Sequence, residues 1–358
     1  MKNIYLYIMK NIGLTIRTID NFNDQIYSSG IDQNIMILYN YLKIHSCVRF
    51  FSQDDNPESK IYESYNILNL EKLKECDYII SCGVELPTNI NQFIHFKNGI
   101  SNTKLILCLY GSPLIYDMRD VFGDTTNNKG TYDVRIYDEI WISPHFEYHI
   151  DYIKYIYRCD DIFVGPYIWE PDYIPQTLNT IMNDLNIGVF EPNFFFNKSC
   201  IIPIIIADKC KNIINDCFVF CTDKLQNNRK FMKFVELTDL NKQKRLHLLG
   251  RQKLCDIMKT KCNIVVSFVD NYDLNYLFLE CFYLGIPLIH NSKILKDWGY
   301  YYDGCNVLQA YQHIKNIKIN GFDKENYISK HKTILDYYSM RNPEYKEFFN
   351  KHLQLQDN

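Results

Sequence analysis

Residues 263–292 constrain the fold of this chain more than any other stretch, because they predict a strand, a helix and a second strand in succession. Residues 263–268 are apolar and β-branched without alternation, which is typical of a strand buried on both faces of a parallel sheet. The helix that follows carries apolar side chains at helical spacing: Leu274, Leu277, Phe278, Cys281 and Leu284. Gly285 and Pro287 end this helix, and residues 287–290 form the next strand. The stretch therefore predicts one βαβ unit of a parallel sheet.

The same alternation of strands and helices runs through the rest of the chain in two halves. In the first half, strands are predicted at residues 12–17, 48–52, 78–82, 104–110, 139–143 and 162–165, with helices at 31–42 and 70–74. In the second half, further strands are predicted at 186–190, 218–222 and 245–249, with helices at 201–210, 228–237, 252–259, 326–338 and 343–353. Residues 299–304 are predicted to form a loop.

A proline-rich segment separates the two halves. Pro166, Pro171 and Pro175 lie within ten residues of one another, mixed with aromatic side chains, and such clusters mark boundaries. A chain of 358 residues is also long for one hydrophobic core and suits two domains. We therefore predict a first domain at 1–168 and a second at 169–340, with a C-terminal helix at 341–358 that crosses back to the first.

Composition excludes several classes of protein. Apolar residues make up 47% of the chain and charged residues 23%, which indicates a globular protein. The net charge is −3 without a long Lys/Arg run, so a nucleic-acid partner is not expected. Thirteen cysteines without C-x-x-C pairs fit a reducing, cytoplasmic location better than a disulfide framework or a zinc site. No apolar run approaches the roughly 20 residues of a transmembrane helix, and the N-terminal segment is too short for a signal peptide.

Polar and glycine residues gather where the predicted strands of the first half end. In an open parallel sheet, functional groups collect in the loops past the carboxyl ends of the strands. The residues in such loops are Gly30, Gly83, Glu85, Gly111, Ser112 and His145. Each of them alone is more often a turn residue than a catalytic one, but their shared edge predicts one wall of a cleft.

Glu280 stands out within the predicted helix of the opening motif. It is the only carboxylate inside this helix, and it shares a face with Asp273, Tyr276 and Tyr283, opposite the apolar stripe. The N-terminus of such a helix can bind phosphate. From periodicity alone, an ordinary solvated glutamate is the better interpretation.

The sequence around Glu280 resembles a known donor-site signature. Leu-Glu-Cys-Phe-Tyr-Leu-Gly-Ile-Pro-Leu-Ile is similar to the motif of GT-B glycosyltransferases, in which a glutamate precedes apolar residues, a glycine and a proline. The resemblance implies that Glu280 binds the ribose hydroxyls of a nucleotide-sugar. Retaining members often carry a second glutamate eight residues earlier, where this chain has Tyr272. Whether the reaction retains or inverts the sugar's configuration therefore stays open.

Most of the chain is also similar to the DUF2827 family of uncharacterised GT-B-like bacterial proteins. The shared segments are Ser-Gly-Ile-Asp-Gln-Asn, Val-Phe-Gly, Phe-Glu-Pro-Asn, Lys-Ser, Leu-Gly-Arg, Asn-Tyr-Leu-Phe-Leu-Glu, Pro-Leu-Ile-His-Asn-Ser and Leu-Lys-Asp-Trp-Gly-Tyr-Tyr-Tyr. The resemblance implies an α/β protein of the GT-B class. Two Rossmann-like parallel-sheet domains would face a central cleft, and C-terminal helices would close the chain.

This fold implies a donor site in the second domain. A leaving nucleoside diphosphate needs cations or helix N-termini near its developing charge. Lys198 and Arg251 are the predicted cations, although each could be an ordinary surface charge. The amides near Asp273 and Asn275 would assist them. The remaining predicted donor-binding residues are Asn193, Glu280, His290 and Asn291.

The resemblance leaves the first domain as the acceptor side. An inverting enzyme would need a general base there, and Asp32, Glu85 and His145 are the candidates. No Asp-x-Asp motif is present, because Asp54-Asp55 and Asp160-Asp161 are adjacent pairs. We therefore expect no cofactor and no essential divalent metal ion.

Three functions are compatible with this sequence. The first is a glycosyltransferase that uses a nucleotide-sugar, with a UDP-sugar favoured, and a glycan, protein or small molecule as acceptor. The second is a nucleotide-sugar epimerase of the same architecture. The third is a binding protein that has kept the fold and lost turnover, an alternative that Tyr272 at the position of the earlier glutamate keeps open.

Overall fold

The computed structural model describes residues 9–17, 30–52, 64–66, 69–82, 97–122, 136–172, 174–175, 178, 184–193 and 195–355. The chain divides into two compact units. Unit 1 comprises residues 1–170 together with 338–358, and unit 2 comprises residues 171–337. Each unit is built around its own parallel β-sheet, so the predicted α/β class with two parallel-sheet domains is confirmed.

Thirteen strands are assigned within the described residues, seven in unit 1 and six in unit 2. Those of unit 1 are β1 (Asn11–Thr15), β2 (Cys47–Ser52), β3 (Ser64–Asn66), β4 (Tyr78–Ser81), β5 (Lys104–Leu109), β6 (Glu139–Ile142) and β7 (Ile162–Val164). Those of unit 2 are β8 (Ile187–Val189), β9 (Cys217–Val219), β10 (Leu246–Leu248), β11 (Ile264–Val266), β12 (Leu288–His290) and β13 (Tyr300–Tyr301).

The helices flank these strands in sequence. Unit 1 contains α1 (Gly30–Leu42), α2 (Leu70–Lys74), α3 (Pro113–Phe122), a 3₁₀ helix (Pro144–His149) and α4 (Ile150–Tyr157). Unit 2 contains α5 (Ile201–Lys209), a 3₁₀ helix (Leu225–Asn227), α6 (Arg229–Leu237), α7 (Asp239–Lys242), α8 (Leu254–Thr260), α9 (Tyr276–Leu284), α10 (Val307–Asn320) and α11 (Lys324–Tyr338). The last helix, α12 (Pro343–Leu353), belongs to unit 1.

Both sheets have the strand order of doubly wound folds. The order is β3-β2-β1-β4-β5-β6-β7 in unit 1 and β10-β9-β8-β11-β12-β13 in unit 2. In each sheet the chain starts in the middle, builds one side and then crosses to the other, and the paired strands among the described residues are parallel. The direction of winding reverses between β1 and β4 in unit 1 and between β8 and β11 in unit 2. Ligands of such sheets bind at the carboxyl ends of the strands at this point.

Helix α9 shows why the opening motif of the sequence folds as it does. Asn275 caps its N-terminus, since the side chain accepts from the amide of Leu277 at 3.2 Å. Gly285 ends it in the left-handed conformation with φ of 67°. A side chain at Gly285 would also collide with Lys324 and Ile328 of α11. Sequence and packing therefore agree on where this helix stops.

The predicted apolar stripe of α9 differs from the observed one. Leu277 is half-buried on the same face as Glu280, whereas Tyr276, Leu279 and Phe282 are buried. The reason is that α9 packs on both sides: Phe282 stacks on His331 of α11 at 4.3 Å, and other faces meet the sheet. A helix enclosed in this way has no single stripe, so periodicity identified the helix and misplaced its faces.

Helix α12 packs on the rest of unit 1 through aromatic rings and through a contact between His352 and Glu139. Phe349 is 1% exposed, and its ring lies 4.8 Å from Tyr41 and 5.8 Å from Trp141 between centroids. His352 pairs with the buried carboxylate of Glu139 at the start of β6. This carboxylate also accepts from Trp141 Nε1 at 2.5 Å. The C-terminal helix is thus part of the first unit's core.

Several elements were absent from the sequence-based prediction. Strand β3 and helices α3, α4 and α10 were not predicted, and β13 lies in the segment predicted as a loop. Strands β3 (Ser-Tyr-Asn) and β13 (Tyr-Tyr) lack the aliphatic residues that mark the other short strands. Helix α10 buries Ala310, Ile314 and Ile317, which have helical spacing. Lysines and asparagines lie between them, so the helix was not recognised in the sequence.

Candidate functional site

The carboxyl edge of the second sheet brings together the loops that follow β8, β9 and β11. Each of these loops contains one non-glycine residue in the left-handed region: Asn193 with φ of 56°, Cys221 with 58° and Asn271 with 55°. Such conformations cost energy and persist only where the surroundings impose them. Their clustering at one edge marks it as the part of unit 2 with the most constrained backbone.

Asn193 uses its side chain to fix this edge. Its Nδ2 donates to the carbonyl oxygens of Glu191 at 2.9 Å and Phe220 at 3.2 Å. Its Oδ1 accepts from the amide of Cys200, the N-cap of α5, at 2.8 Å. The side chain of Asn193 therefore joins these segments to one another, and its predicted role in donor binding stays a prediction.

Lys198 lies in the same loop and presents an uncompensated charge. Its Nζ lies 4.6 Å from the ring centroid of Tyr272, in the loop before α9. Within the described part of the chain, the ammonium has no hydrogen-bond or ion-pair partner in contact with it. Burial lowers the pKa of Lys198 from its usual value. A desolvated cation held on an aromatic face is suited to binding an anion.

Tyr272 thus has a visible structural role. It occupies the position where the donor-site motif often has its earlier glutamate, and it is 9% exposed. Its ring supports the Lys198 ammonium by a cation–π contact. A carboxylate at this position would neutralise Lys198, whereas the tyrosine leaves its charge available.

Glu191 follows β8 directly and is completely buried. Its Oε1 accepts from the hydroxyl of Ser267 and from the amide of Phe268 at 3.2 Å, at the end of β11. Its Oε2 has no hydrogen-bond partner among the described residues. Burial, the largest cause, raises the pKa of Glu191 to about 7, against the opposing effects of Ser267 and Lys198. The Phe-Glu-Pro-Asn motif contained this residue, but sequence analysis did not include it in the site.

Arg251 provides a second cation next to this edge. Its side chain is exposed and has no ion-pair partner among the residues that the structure describes. It lies close enough to Cys221 for its charge to oppose the rise in that thiol's pKa, which burial causes. Gly250 precedes it, and a side chain there would contact the carboxylate of Asp223 at 3.0 Å. Glu191 and Arg251 therefore both lie near Cys221.

Asp273 and Asn275 organise the N-terminus of α9. The carboxylate of Asp273 accepts from the amide of Lys293 at 2.6 Å, and its carbonyl accepts from Ser292 Oγ at 2.7 Å. Asn275 is the helix cap. Both side chains therefore hold the loop together, and the predicted binding of the donor by the amides near them stays a prediction.

Glu280 lies one helical turn further along α9. Its side chain is half-buried, and no hydrogen-bond partner for it is found among the described residues. Desolvation raises the pKa of Glu280 to about 7. Its charge also raises the pKa of Cys255 on α8, so the carboxyl group lies near that helix. Glu280 is therefore a desolvated acceptor rather than a fully solvated surface glutamate.

His290 and Asn291 are buried and make structural hydrogen bonds, and their predicted role in donor binding stays a prediction. His290 Nε2 donates to the carbonyl of Trp298 at 2.8 Å, while Nδ1 accepts from the amide of Ser292 at 3.2 Å. Burial lowers the pKa of His290 to about 4, so it is neutral. Asn291 accepts from the amide of Val269 at 2.8 Å and donates to its carbonyl at 2.7 Å.

In unit 1 the candidate bases occupy different environments. Asp32 is buried and accepts from Arg17 Nε at 2.8 and 3.0 Å. His145 is 4% exposed and packs on the ring of Phe146, with 3.9 Å between centroids. Glu85 and Gly83 lie outside the described residues. Gly30 is the exposed first residue of α1.

Ser112, in the loop after β5, is paired with His149 at the end of the 3₁₀ helix after β6, a partner that the sequence did not indicate. Ser112 Oγ lies 2.6 Å from His149 Nδ1, and both residues are buried. Burial lowers the pKa of His149. Gly111 makes room for Tyr116, whose hydroxyl would collide with any side chain there. A cavity at this edge of unit 1 is lined by Asn34, Tyr110, Trp141, Ser143, Gly165 and Phe349.

No group of three or more His, Cys, Asp or Glu side chains is arranged to hold a metal ion within the described ranges. Among the same residues, the helices are all too short or too polar to cross a membrane.

Solved structures with this arrangement of two parallel-sheet units define the class of the fold. The chain is similar to Anabaena Alr3699/HepE in complex with UDP-glucose, with 12% identity, a TM-score of 0.59, and coverage of 96% of this chain and 100% of that one. It is also similar to a glycosyltransferase from Rickettsia africae ESF-5, with 13% identity, a TM-score of 0.58, and coverage of 98% and 100%. A third similar structure is that of the lipopolysaccharide outer core galactosyltransferase WaaB, with 11% identity, a TM-score of 0.58, and coverage of 96% of this chain and 99% of that one. The fold is therefore that of the GT-B glycosyltransferases.

The family follows from the sequence itself. The profile of the family described as "Protein of unknown function (DUF2827)" matches residues 12–353. The chain therefore belongs to this family, as its shared segments predicted. No curated protein matches the chain in sequence.

Proposed function

We propose that this protein is a glycosyltransferase that moves a sugar from a nucleotide-sugar, with a UDP-sugar favoured, to an acceptor. The observation that supports this most is the ammonium of Lys198, which is desolvated on Tyr272 and has no counter-ion in contact. A cation in this state is stabilised by an anionic ligand. The similar structure of HepE was solved with UDP-glucose, which has a diphosphate of this kind.

In this proposal the carboxyl edge of unit 2 binds the donor. Lys198 and Arg251 neutralise the charge that develops on the leaving nucleoside diphosphate. The N-terminus of α9, a helix of nine residues, adds backbone amides and a favourable dipole. Glu280 accepts hydrogen bonds from the ribose hydroxyls. Asn193, Asp273, Asn275, His290 and Asn291 hold the loops that carry these groups.

The transfer is proposed to need no metal ion. A divalent cation in sugar transfer neutralises the diphosphate, and here two cationic side chains and a helix N-terminus would supply that charge. No cofactor other than the nucleotide-sugar substrate is needed for such a displacement.

An inverting reaction would use a base from unit 1, and Asp32, Glu85 and His145 remain the proposed candidates. The carboxylate of Asp32 is engaged by Arg17, so it would act only after that contact loosens. Replacing each candidate by Gln or Asn tests the proposal. The base is the residue whose loss removes transfer and leaves donor affinity intact, and three fully active variants would remove all of them.

A cytoplasmic location is part of the same proposal. All thirteen cysteines are free thiols, including the exposed Cys47 and Cys305, and free thiols persist in a reducing compartment. Cell fractionation with thiol labelling tests this, and recovery of the protein in an oxidised, exported fraction would contradict it.

Incubation with a panel of nucleotide-sugars separates the proposal from its alternatives. A glycosyltransferase releases nucleoside diphosphate when an acceptor extract of glycans, proteins or small molecules is added. An epimerase returns an altered nucleotide-sugar. A binding protein, the alternative that Tyr272 in place of a sugar-contacting glutamate favours, gives neither product but still binds the donor. Absence of both turnover and binding for every donor would exclude the proposed function.

A further inference from the structure

The imidazole of His149 is held at one nitrogen and open at the other. Its Nδ1 lies 2.6 Å from the hydroxyl oxygen of Ser112, and both residues are buried. Its Nε2 makes no hydrogen bond to the described residues and is still reached by solvent. The ring is therefore fixed from the interior of unit 1 and presents its second nitrogen at the surface.

The pair lies at the carboxyl edge of the first sheet. Ser112 follows β5 and precedes α3, and His149 ends the 3₁₀ helix that follows β6. Strands β5 and β6 are parallel neighbours, so the segments after them meet at one edge of the sheet. Doubly wound sheets bind their ligands at this edge. The open nitrogen of His149 is therefore placed where unit 1 would hold a substrate.

The hydroxyl oxygen of Ser112 can hold His149 in the form that accepts a proton. This oxygen already accepts from the amide of Ile115 at 3.4 Å, at the start of α3. When it also accepts from Nδ1–H of His149, the lone pair of the neutral ring is on Nε2. The same hydrogen bond persists after Nε2 takes up a proton, because Nδ1–H is a donor in both states. Ser112 thus suits a histidine that gains and loses a proton at Nε2.

The surroundings of His149 keep it neutral at pH 7. The ring of Tyr148 lies 4.0 Å from the imidazole between centroids, and the ring of Phe146 is stacked on it at 6.1 Å. Burial is the cause that acts on the pKa of His149, and it lowers this pKa from the usual 6.5. No charged side chain of the described residues contributes to this shift. A neutral imidazole is the form that can act as a base.

We propose that His149, positioned by Ser112, is the catalytic base of the transfer and takes the proton of an acceptor hydroxyl at Nε2. The inference rests on the proposed function, because it concerns the acceptor side of that reaction. An inverting reaction has one base, so the three candidates named above do not serve in this role.

The proposed step is a single displacement. A bond forms between the acceptor oxygen and the anomeric carbon of the sugar, and the bond from that carbon to the diphosphate breaks. The electron pair of the broken bond leaves with the nucleoside diphosphate. The proton of the hydroxyl group passes to Nε2 of His149, which later releases it to solvent.

His149→Asn tests this role. The amide of asparagine lies close to the position of Nδ1, so the variant keeps a hydrogen bond to Ser112 but has no base. The measurement is release of UDP from UDP-glucose in the presence of the acceptor extract. We expect kcat to fall by roughly a hundred- to ten-thousandfold, with the dissociation constant for UDP-glucose and the melting temperature nearly unchanged. His45→Asn, between α1 and β2 at the amino edge of the same sheet, is the matched control and should release UDP at the wild-type rate.

Ser112→Ala distinguishes a positioned base from a structural pair. It removes the acceptor of Nδ1–H, so the pKa of His149 should fall further. At saturating UDP-glucose, kcat falls as the pH drops below this pKa, because a protonated ring accepts no proton. We expect this fall at lower pH in the variant than in the wild type, together with a smaller maximal kcat. Glu191 and Glu280 have pKa values of about 7, but they are common to both proteins.

Diethyl pyrocarbonate tests the wild-type protein, so this measurement does not depend on how a variant folds. The reagent acylates a neutral imidazole nitrogen that solvent reaches, and mass spectrometry of peptides locates the modified residue. Modification of His149 should abolish UDP release and leave UDP-glucose binding intact. Release that survives complete modification of His149, or failure of the reagent to modify this residue, would overturn the inference.

The results also separate this inference from the proposed function. Wild-type UDP release by His149→Asn, or identical pH profiles of wild type and Ser112→Ala, would overturn the inference and leave the glycosyltransferase standing. Loss of UDP-glucose binding in His149→Asn would overturn it too, because a base does not hold the donor. No UDP release by the wild type with any acceptor would instead overturn the transfer reaction on which the inference rests.

Discussion

At the scale of single residues, Glu280 connects ligand binding to stability. Glu280→Gln keeps the side chain's size but removes the charge that would accept hydrogen bonds from a ribose diol. Losing such a charge-assisted pair should cost about 1.5 to 3 kcal/mol, so donor affinity should fall by roughly ten- to a hundredfold. Titration calorimetry at about pH 8, where Glu280 is ionised, measures this. If Glu280→Gln bound the donor with wild-type affinity, Glu280 would have only a packing role.

The same substitution should change how stability depends on pH. The folded-state pKa of Glu280 is raised from 4.5 to about 7, so the folded protein holds this proton more tightly than the unfolded chain. The associated stability is present at low pH and is lost as the pH rises through about 7. Glutamine does not titrate, so Glu280→Gln should be more stable than wild type above about pH 7, as measured by denaturant unfolding across pH.

A further prediction for a single residue concerns Lys198. Lys198→Met keeps an unbranched side chain over Tyr272 and removes the cation, so it should weaken nucleotide-sugar binding by roughly ten- to a hundredfold. The free energy of unfolding should be unchanged or slightly higher, because a desolvated charge is removed. Lys318→Met, at an exposed position on α10, is the matched control and should bind normally. Equal affinities for the two variants would exclude Lys198 from the donor site.

At the scale of an element, helix α12 should be required for the stability of unit 1. Phe349→Ala removes a ring that is 1% exposed and packs on Tyr41 and Trp141, which should cost about 3 to 5 kcal/mol. Thermal unfolding should therefore begin at a lower temperature. Glu347→Ala, on the exposed face of the same helix, should shift stability by less than about 0.5 kcal/mol. Unchanged unfolding of Phe349→Ala would show that α12 is dispensable.

At the scale of the whole molecule, UDP should raise the melting temperature. A ligand that binds only the folded state stabilises it by about 2.7 kcal/mol at a hundredfold excess over its dissociation constant. For a unit of this size that corresponds to a rise of roughly 5 °C or more. Lys198→Met should show a smaller rise at the same UDP concentration. No rise with millimolar UDP, GDP or dTDP would argue against a donor site.

Chelation tests the metal requirement of the intact enzyme. Because side-chain cations are proposed to neutralise the diphosphate, EDTA should leave sugar transfer largely unchanged. The measurement is release of nucleoside diphosphate with and without chelator, followed by addition of manganese. Activity that disappears with EDTA and returns with manganese would refute metal independence.

The sequence by itself determined the elements and the class of the fold. Apolar β-branched runs bounded by glycine and proline located most strands, and Asn275 and Gly285 set the ends of α9. These signals are local, since a strand or a helix cap depends on neighbours only a few residues away. Resemblance in the Glu280 segment then identified the GT-B class. Strands β3 and β13 have no aliphatic side chains and were missed.

The tertiary structure determines which side chains meet at the carboxyl edge of the second sheet. Glu191 bonds to Ser267, 76 residues later, because β8 and β11 are neighbours in the sheet. The same adjacency places Lys198 on Tyr272. The side chains of Asn193, His290 and Asn291 bond to backbone groups of other loops, and the sequence did not reveal these contacts. Strand order and burial set these contacts, and no local pattern encodes either of them.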